Sequence, residues 1–409
     1  MPDDTDIRVL RQRAAESARN FLQPLAERRN VRSLYVHIPF CAHKCHYCDF
    51  YSIVDRDDRQ RAFTDRLIAE LAALAPLAAP LDTLFVGGGT PTLLAPAHWQ
   101  RLLRTLHDRY ELAPGFEFTV EANPETVTPE LLDVLRAGAV NRLSMGAQSF
   151  DPRHLKTLER WHDPDNVERA ASLARAAGIT RLSVDLIFAI PGQTPDDWAS
   201  DLARALALGT EHLSCYALTY EPGTAMTARL ARGEFERADP DREADLYDQT
   251  LDTLRAHGLD RYEVSNFARP GAECRHNLAY WRQHDWLAAG PSASGHVAGH
   301  LWKNVPRLDE YMETSDAGFA PVIDHEPPDP RRALAERLML GIRLREGLDA
   351  ADIRERAHKL DPASPARLAA AADACRAHGW LAPDPDPWRL TDAGFLFADR
   401  VARDLMAAL

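Results

Sequence analysis

Strand-like and helix-like segments alternate through the first half of the chain, and this alternation constrains the fold more than any other feature. The strand-like segments are 34–38, 83–86, 117–120, 142–145, 182–187 and 212–218. The helical patterns between them include 60–74, 97–110, 129–137, 165–176 and 196–208. Repeated βα units predict right-handed crossovers around a parallel sheet. Folds of that class carry their sites at the carboxyl ends of the strands. The first four strand segments run into Cys41, Gly87-Gly88-Gly89, Glu121 and Gln148 in turn. Polar residues recurring at that position favour a working site over a merely structural sheet.

The most specific chemistry lies in Phe40-Cys41-Ala42-His43-Lys44-Cys45-His46-Tyr47-Cys48-Asp49-Phe50, spaced C-x3-C-x2-C. Six cysteines in 409 residues do not make a disulfide framework, and Cys215, Cys274 and Cys375 stand far from the cluster and from one another. Clustered cysteines in a reducing compartment read as metal ligands or reactive thiols. Three thiolates on one loop can hold three irons of a cubane and leave the fourth open. A structural zinc wants four ligands, so zinc and three unrelated thiols are the alternatives. His43 and His46 are then either further ligands or residues at the cluster edge.

On these residues the chain resembles the radical S-adenosylmethionine (SAM) superfamily, from about Leu34 to the C-terminus. The resemblance implies an α/β fold: a partial (β/α)6 barrel with a C-terminal α+β, winged-helix-like module. It implies a [4Fe–4S] cluster on Cys41, Cys45 and Cys48, with SAM chelating the open iron and cleaved by one electron to a 5′-deoxyadenosyl radical. Gly87-Gly88-Gly89-Thr90-Pro91 resembles the family's loop for the SAM methionine moiety, where glycines allow close backbone approach. Gly88, Gly89 and Thr90 are the contacts this implies. Glu121 matches an acidic residue that reaches the SAM hydroxyls, and an ionised carboxylate, which only accepts hydrogen bonds, suits a diol. Taken alone, its alternative is a helix-capping or turn carboxylate, the lesser of the two readings. Gln148, in Gly146-Ala147-Gln148-Ser149-Phe150, aligns with the SAM site, as do Tyr35, Arg160 and Asp185. Arg160 without that context reads as a surface ion-pair partner. Ile190-Pro191-Gly192-Gln193-Thr194 resembles the family's loop near the adenine.

Within the superfamily, YVHIPFC, GGGTP and the Q-S-F segment are shared with the oxygen-independent coproporphyrinogen III oxidases and the radical SAM heme chaperones (HemW-like proteins). The oxidases have a further cysteine two residues after the third; here that position is Phe50. His276-Asn277-Leu278-Ala279-Tyr280-Trp281 resembles the H-N-x-x-Y-W signature of the chaperones, which implies heme binding at His276. A neutral imidazole is a good axial iron ligand. The alternative is a core His–Asn pair that orders a loop, with Tyr280 and Trp281 as ordinary core. The resemblance implies heme, heme-accepting apoproteins and an electron donor for the cluster as partners. One departure stands out: Ala288 occupies the first glycine of an expected G-x-G-P-x-A turn, so a shifted turn is expected there.

The expected division is a 1–32 extension, a 33–260 barrel, a 261–325 signature region and a 326–409 C-terminal domain, with a Pro-rich linker over 318–332. A net charge of −13 argues against a nucleic-acid partner, and with it against RNA modification. The N-terminus does not read as a signal peptide, and no apolar run is long enough for a bilayer. A cytoplasmic protein with at most peripheral membrane contact is the expectation. Two functions compete: heme binding and delivery, and radical decarboxylation of coproporphyrinogen III.

Overall fold

The structure is a computed structural model in which residues 17–409 are described. The expected 1–32 extension therefore lies partly outside the described residues; within it, Phe21 and Leu22 are buried in a helical turn, Arg19–Leu22.

The chain forms two compact units. One takes the chain up to Thr250 together with Asp285–Glu326, and the other takes Leu251–His284 with Pro327–Leu409. The first unit is the βα array. Its strands are β1 (Val31–Ile38), β2 (Ala78–Gly88), β3 (Leu112–Ala122), β4 (Arg142–Gln148), β5 (Arg181–Phe188) and β6 (His212–Ala217). Each pairs in parallel with the next in sequence. Parallel strands are covered on both faces and so read as near-continuous apolar runs. In β1, Leu34, Val36 and Ile38 are buried on one face and alternate with Tyr35 and His37 on the other. The latter face is polar in the later strands too: Thr119, Arg142, Ser144, Ser183, His212 and Ser214 are all buried.

Between strands run α1 (Gln60–Leu74), α2 (Pro96–Arg109), α3 (Pro129–Ala137), α4 (Pro152–Thr157), α5 (Asp165–Ala176) and α6 (Pro195–Ala207). Three of them start by one device. Thr128, Asp151 and Thr194 accept a backbone N–H of the first turn, and proline follows each of them. Each such cap is worth about 1 kcal/mol. On α2, Trp99, Leu102, Leu103 and Leu106 are buried at helical spacing. Gly138, after α3, faces Leu103 so closely that a Cβ would lie 2.4 Å from it.

After the βα array come the helices α7 (Ala225–Ala231) and α8 (Pro240–Ala256), which the alternation did not announce. In the second unit a short hairpin, β7 (Asp260–Arg261) with β8 (Asn266–Ala268), precedes α9 (Arg275–Trp281). The chain then returns to the first unit with β9 (Leu287–Ala289), which pairs in parallel with β1 on the edge opposite β2. Ala288 lies opposite Tyr35 within this strand. The expected shift at Ala288 does not arise, because alanine suits extended backbone. The glycine the geometry demands is Gly290: φ is +104° and a Cβ would lie 2.4 Å from the His37 carbonyl oxygen.

An antiparallel sheet follows: β10 (Ser294–Val297), β11 (His300–Asn304) and β12 (Val322–Glu326). Strand β12 falls inside the stretch 318–332 expected as a linker, where the flanking prolines conceal a five-residue strand. Glu70 of α1 secures this region. Its buried carboxylate accepts from Gly290 N–H at 2.9 Å, Asn304 Nδ2 at 2.8 Å and Tyr311 Oη at 2.6 Å. The second unit ends in helices Pro330–Gly341, Ala350–Leu360 and Ser364–Ala377, an antiparallel bridge between Leu381 and Leu390, and helix Ala398–Ala407. That order is the winged-helix-like one expected. Among the described residues no helix is long and apolar enough to cross a membrane.

Candidate functional site

The cysteine loop leaves β1 at Ile38 and is closed at its base. Cys41 N–H donates to the Ile53 carbonyl and Ile53 N–H to the Pro39 carbonyl, each at 2.8 Å. Lys44 Nζ donates to the Phe50 carbonyl at 2.6 Å and to Ser52 Oγ at 2.9 Å. The His46 carbonyl accepts Met226 N–H at 2.8 Å. The loop is thus held at its base, middle and far side.

All three thiols are half-buried and unbridged. Cys41 Sγ lies 3.6 Å from Thr90 Oγ1, and Arg160 Nη1 donates to Cys45 Sγ at 3.7 Å. Burial pushes the Cys48 thiol up, and the Lys44 ammonium opposes the shift. Among the described residues, the one trio of His, Cys, Asp or Glu ligand atoms gathered within 4.8 Å is Asp151, His154 and Asp197. The Asp151 trio is an ion-pair knot, since Arg153 Nη2 already lies 2.6 Å from Asp151 and 2.7 Å from Asp197.

The strand ends gather the other expected residues. Gly88 closes β2, Glu121 lies near the end of β3, Gln148 closes β4 and Asp185 lies in β5. Register places Glu121 beside Ser144, Gly146 beside Asp185, and Asp185 beside Ser214. Gly88 N–H donates to Glu121 Oε2 at 3.0 Å, with Gly88 at φ +113°. Gly89 N–H donates to the Ile38 carbonyl at 2.8 Å and Thr90 N–H to the Phe40 carbonyl at 2.7 Å, so the glycine loop is tied to the cysteine loop. Three of its glycines sit where side chains cannot: a Cβ at Gly87 would lie 2.7 Å from Glu121, at Gly88 2.6 Å from His37, and at Gly89 2.7 Å from the Phe40 carbonyl oxygen. Arg160 Nη2 donates to the Gly146 carbonyl at 2.8 Å, so one guanidinium joins the end of β4 to the cysteine loop.

Burial and the neighbouring Asp185 carboxylate push Glu121 up to about 7, against the Gly88 hydrogen bond. Burial also raises Asp185, while hydroxyls of Ser214 and Ser144 hold it down. Two adjacent half-buried acids, neither fully compensated, suit a ligand that brings cationic or hydroxyl donors. Tyr35 is half-buried beside Glu121, and desolvation and the Glu121 charge both raise its phenol. Tyr35 Oη lies 3.0 Å from His37 Nδ1, and His37 Nε2 lies 2.9 Å from the Tyr51 carbonyl. A carbonyl only accepts, so Nε2 carries the proton and Nδ1 accepts from Tyr35. Burial lowers His37 to about 4 and keeps it neutral. In the loop after β5, Gln193 is buried with its Nε2 lacking a hydrogen-bond partner.

His37, Tyr51, Ser144 and Ser214 complete this polar end without having been singled out from sequence. The available signal was the polar alternation of Tyr35 and His37 in an otherwise apolar strand. Exposed aromatics flank the cysteine loop: Phe50 is 66% and Trp161 68% exposed. The Trp161 ring stacks on His43 at 3.7 Å and 12°.

His276 lies in the other unit, on α9, 1% exposed. Its Nε2 lies 2.7 Å from Tyr280 Oη, one helical turn on. Burial lowers its imidazole to about 3, so the ring is neutral, the form that ligates a metal. Ligation through Nε2 would exchange the Tyr280 hydrogen bond. Cys274, at the start of the helix, is buried.

Comparison with known proteins places the chain among relatives. The radical SAM superfamily model matches residues 35–205, and the HemN C-terminal domain model matches 329–397. A heme chaperone HemW of Mycobacterium tuberculosis is 39% identical over 378 residues, covering 91% of this chain and 94% of that one. The HemW of Escherichia coli is 40% identical over 271 residues, covering 65% and 70%. In structure the chain resembles the coproporphyrinogen III oxidase HemN of E. coli, a radical SAM enzyme, with a TM-score of 0.80 at 26% identity, covering 96% of this chain and 94% of that one.

Proposed function

This chain belongs to the HemW heme chaperone family of the radical SAM superfamily, and from that premise we propose that it binds heme and passes it to acceptor apoproteins. It does so while carrying a [4Fe–4S] cluster on Cys41, Cys45 and Cys48, with SAM beside it. When bound, these groups supply one-electron chemistry at SAM. The chain's own residues hold and enclose them. Thr90 and Arg160 border the sulfurs, and Gly88, Gly89 and Thr90 bring backbone close to the methionine end of SAM. Glu121 and Asp185 accept from its donors, with Tyr35 and Gln148 at the same strand ends. His276 is the proposed iron ligand for heme.

The observation that carries the heme reading is the His276–Tyr280 pair: a neutral imidazole held by a neighbouring hydroxyl, in a unit distinct from the cysteine loop. Hemin titration of the full chain tests it. Wild type should give a defined Soret band, and His276→Ala should weaken or shift it with the iron–sulfur content unchanged. A folded variant with the wild-type heme spectrum and affinity removes His276 from the site.

The fold likeness to HemN favours a second reading, coproporphyrinogen decarboxylation. Exposed Phe50 in place of a fourth cysteine weighs against it. Anaerobic assay with reduced cluster and SAM separates the two: product formation supports the enzyme, and transfer of heme to an apoprotein without decarboxylation supports the chaperone.

A further inference from the structure

The segment between α4 and α5 touches the cysteine loop at three points. The Leu158 carbonyl accepts His46 N–H at 3.3 Å, Arg160 Nη1 donates to Cys45 Sγ at 3.7 Å, and the Trp161 ring stacks on His43. Arg160 is half-buried, and each of its side-chain nitrogens has one partner. Nη1 has the Cys45 sulfur, Nη2 the Gly146 carbonyl at 2.8 Å, and Nε the His162 Nδ1 at 3.2 Å. Among the described residues no carboxylate pairs with this guanidinium. A carbonyl and an imidazole are neutral, so the partner able to carry negative charge is the sulfur. A cation drawn out of water calls for such a partner.

His162 holds the other end of this arrangement and is 5% exposed. Arg160 Nε only donates, so His162 Nδ1 accepts and Nε2 carries the imidazole proton. That Nε2 is buried with no hydrogen-bond partner among the described residues. The ring is therefore held by one hydrogen bond, the one to Arg160. Burial and the Arg160 charge lower the imidazole to about 3 and keep it neutral. An orphaned buried N–H costs about 1–3 kcal/mol, and an apolar side chain of similar size would avoid that cost. What the imidazole adds is an acceptor for Nε. A guanidinium is a rigid plane, so fixing Nε fixes the direction of Nη1 as well.

On the cluster reading above, we propose that His162 is a positioning residue for the iron–sulfur cluster: it aims the Arg160 guanidinium at the Cys45 sulfur, and Arg160 held there raises the cluster's reduction potential. Reduction adds one electron, supplied by the external donor, to a cluster held by three thiolates, so the negative charge facing Arg160 grows. A fixed cation with an N–H on the sulfur favours the more negative form. Turned away, the same guanidinium leaves the cluster harder to reduce. The SAM carboxylate is a second anion within the chemistry of Arg160, so the measurement is made without SAM.

The test is a dithionite redox titration of the anaerobically reconstituted full chain, read by EPR of the reduced cluster. Iron content and circular dichroism check loading and fold. His162→Leu removes the acceptor together with the orphaned N–H, so it should fold. At the wild-type midpoint its ratio of reduced to oxidised cluster should fall about tenfold, which for one electron is ~59 mV. Arg160→Gln should shift in the same direction. The double variant should go no further than Arg160→Gln alone, because residues that act as one unit are not additive. His162→Asn, which offers an amide oxygen near the place of Nδ1, should recover most of the wild-type midpoint. A fully loaded His162→Leu or Arg160→Gln at the wild-type midpoint overturns the proposal, as does a His162→Leu shift that adds in full to that of Arg160→Gln. Failure of the wild-type chain to take up four irons overturns the cluster reading instead.

Discussion

At the residue scale, the cysteines were legible because their spacing is itself the chemistry, whereas the environment of Glu121 was not. Its carboxyl has an ordinary value of 4.5 and rises to about 7 on burial beside Asp185. Between those values the folded chain binds more protons than the unfolded one, so stability falls as pH rises through that window. The slope from a single such group approaches about 1.4 kcal/mol per pH unit. Urea unfolding of the ligand-free chain from pH 4.5 to 7.5 should show this loss, and Glu121→Gln should flatten it. An unchanged slope in the variant would place the titration elsewhere. The tautomer of His37 was equally hidden, since it depends on a carbonyl from Tyr51, fourteen residues on, that only the folded loop brings near. The cluster has a simpler test. Replacing Cys41, Cys45 and Cys48 together by alanine should abolish binding of four irons on anaerobic reconstitution, read by Mössbauer spectroscopy, and leave the hemin spectrum in place.

At the element scale, helices α1, α3 and α5 fall where periodicity placed them, because each combines an apolar stripe with a clear start or stop. Strand β2 begins at Ala78 rather than 83: Ala78 pairs with Val31, and a register shift before the Ser33–Thr83 pair takes up Pro80, which local propensity reads as a break. Strand β9 has three residues and no periodicity to read; it exists because the edge of β1 and the Glu70 carboxylate receive it. Glu70→Ala would leave Gly290 N–H and the Tyr311 hydroxyl without their acceptor and the Asn304 amide with only the Gly290 carbonyl. Loss of roughly 3–5 kcal/mol is expected from such a buried network, measured as a lower urea midpoint, with Glu70→Gln falling between. Gly88 is a second element-level constraint. Gly88→Ala forces a side chain to φ +113° and against the His37 ring, a strain of about 1–3 kcal/mol. It should lower both the thermal midpoint and SAM affinity measured by calorimetry.

At the scale of the whole molecule, the βα order and the strand-end chemistry were readable, and the interleaving of the two units was not. Composition and pattern describe neighbours in sequence, while Leu251–His284 leaves the first unit and Asp285–Glu326 returns to it. That return has a consequence for how the protein is made. On a ribosome, β1 emerges before β2, pairs with it, and then waits for β9 while some 200 further residues are synthesised. Throughout that interval one rim of the sheet offers unpaired amides and carbonyls, the form of backbone most prone to recruit a strand from another chain. A polypeptide ending at Trp286 should therefore associate in light scattering under conditions where the full chain stays monodisperse, and a holdase chaperone should be found on nascent chains shorter than this but not on completed ones.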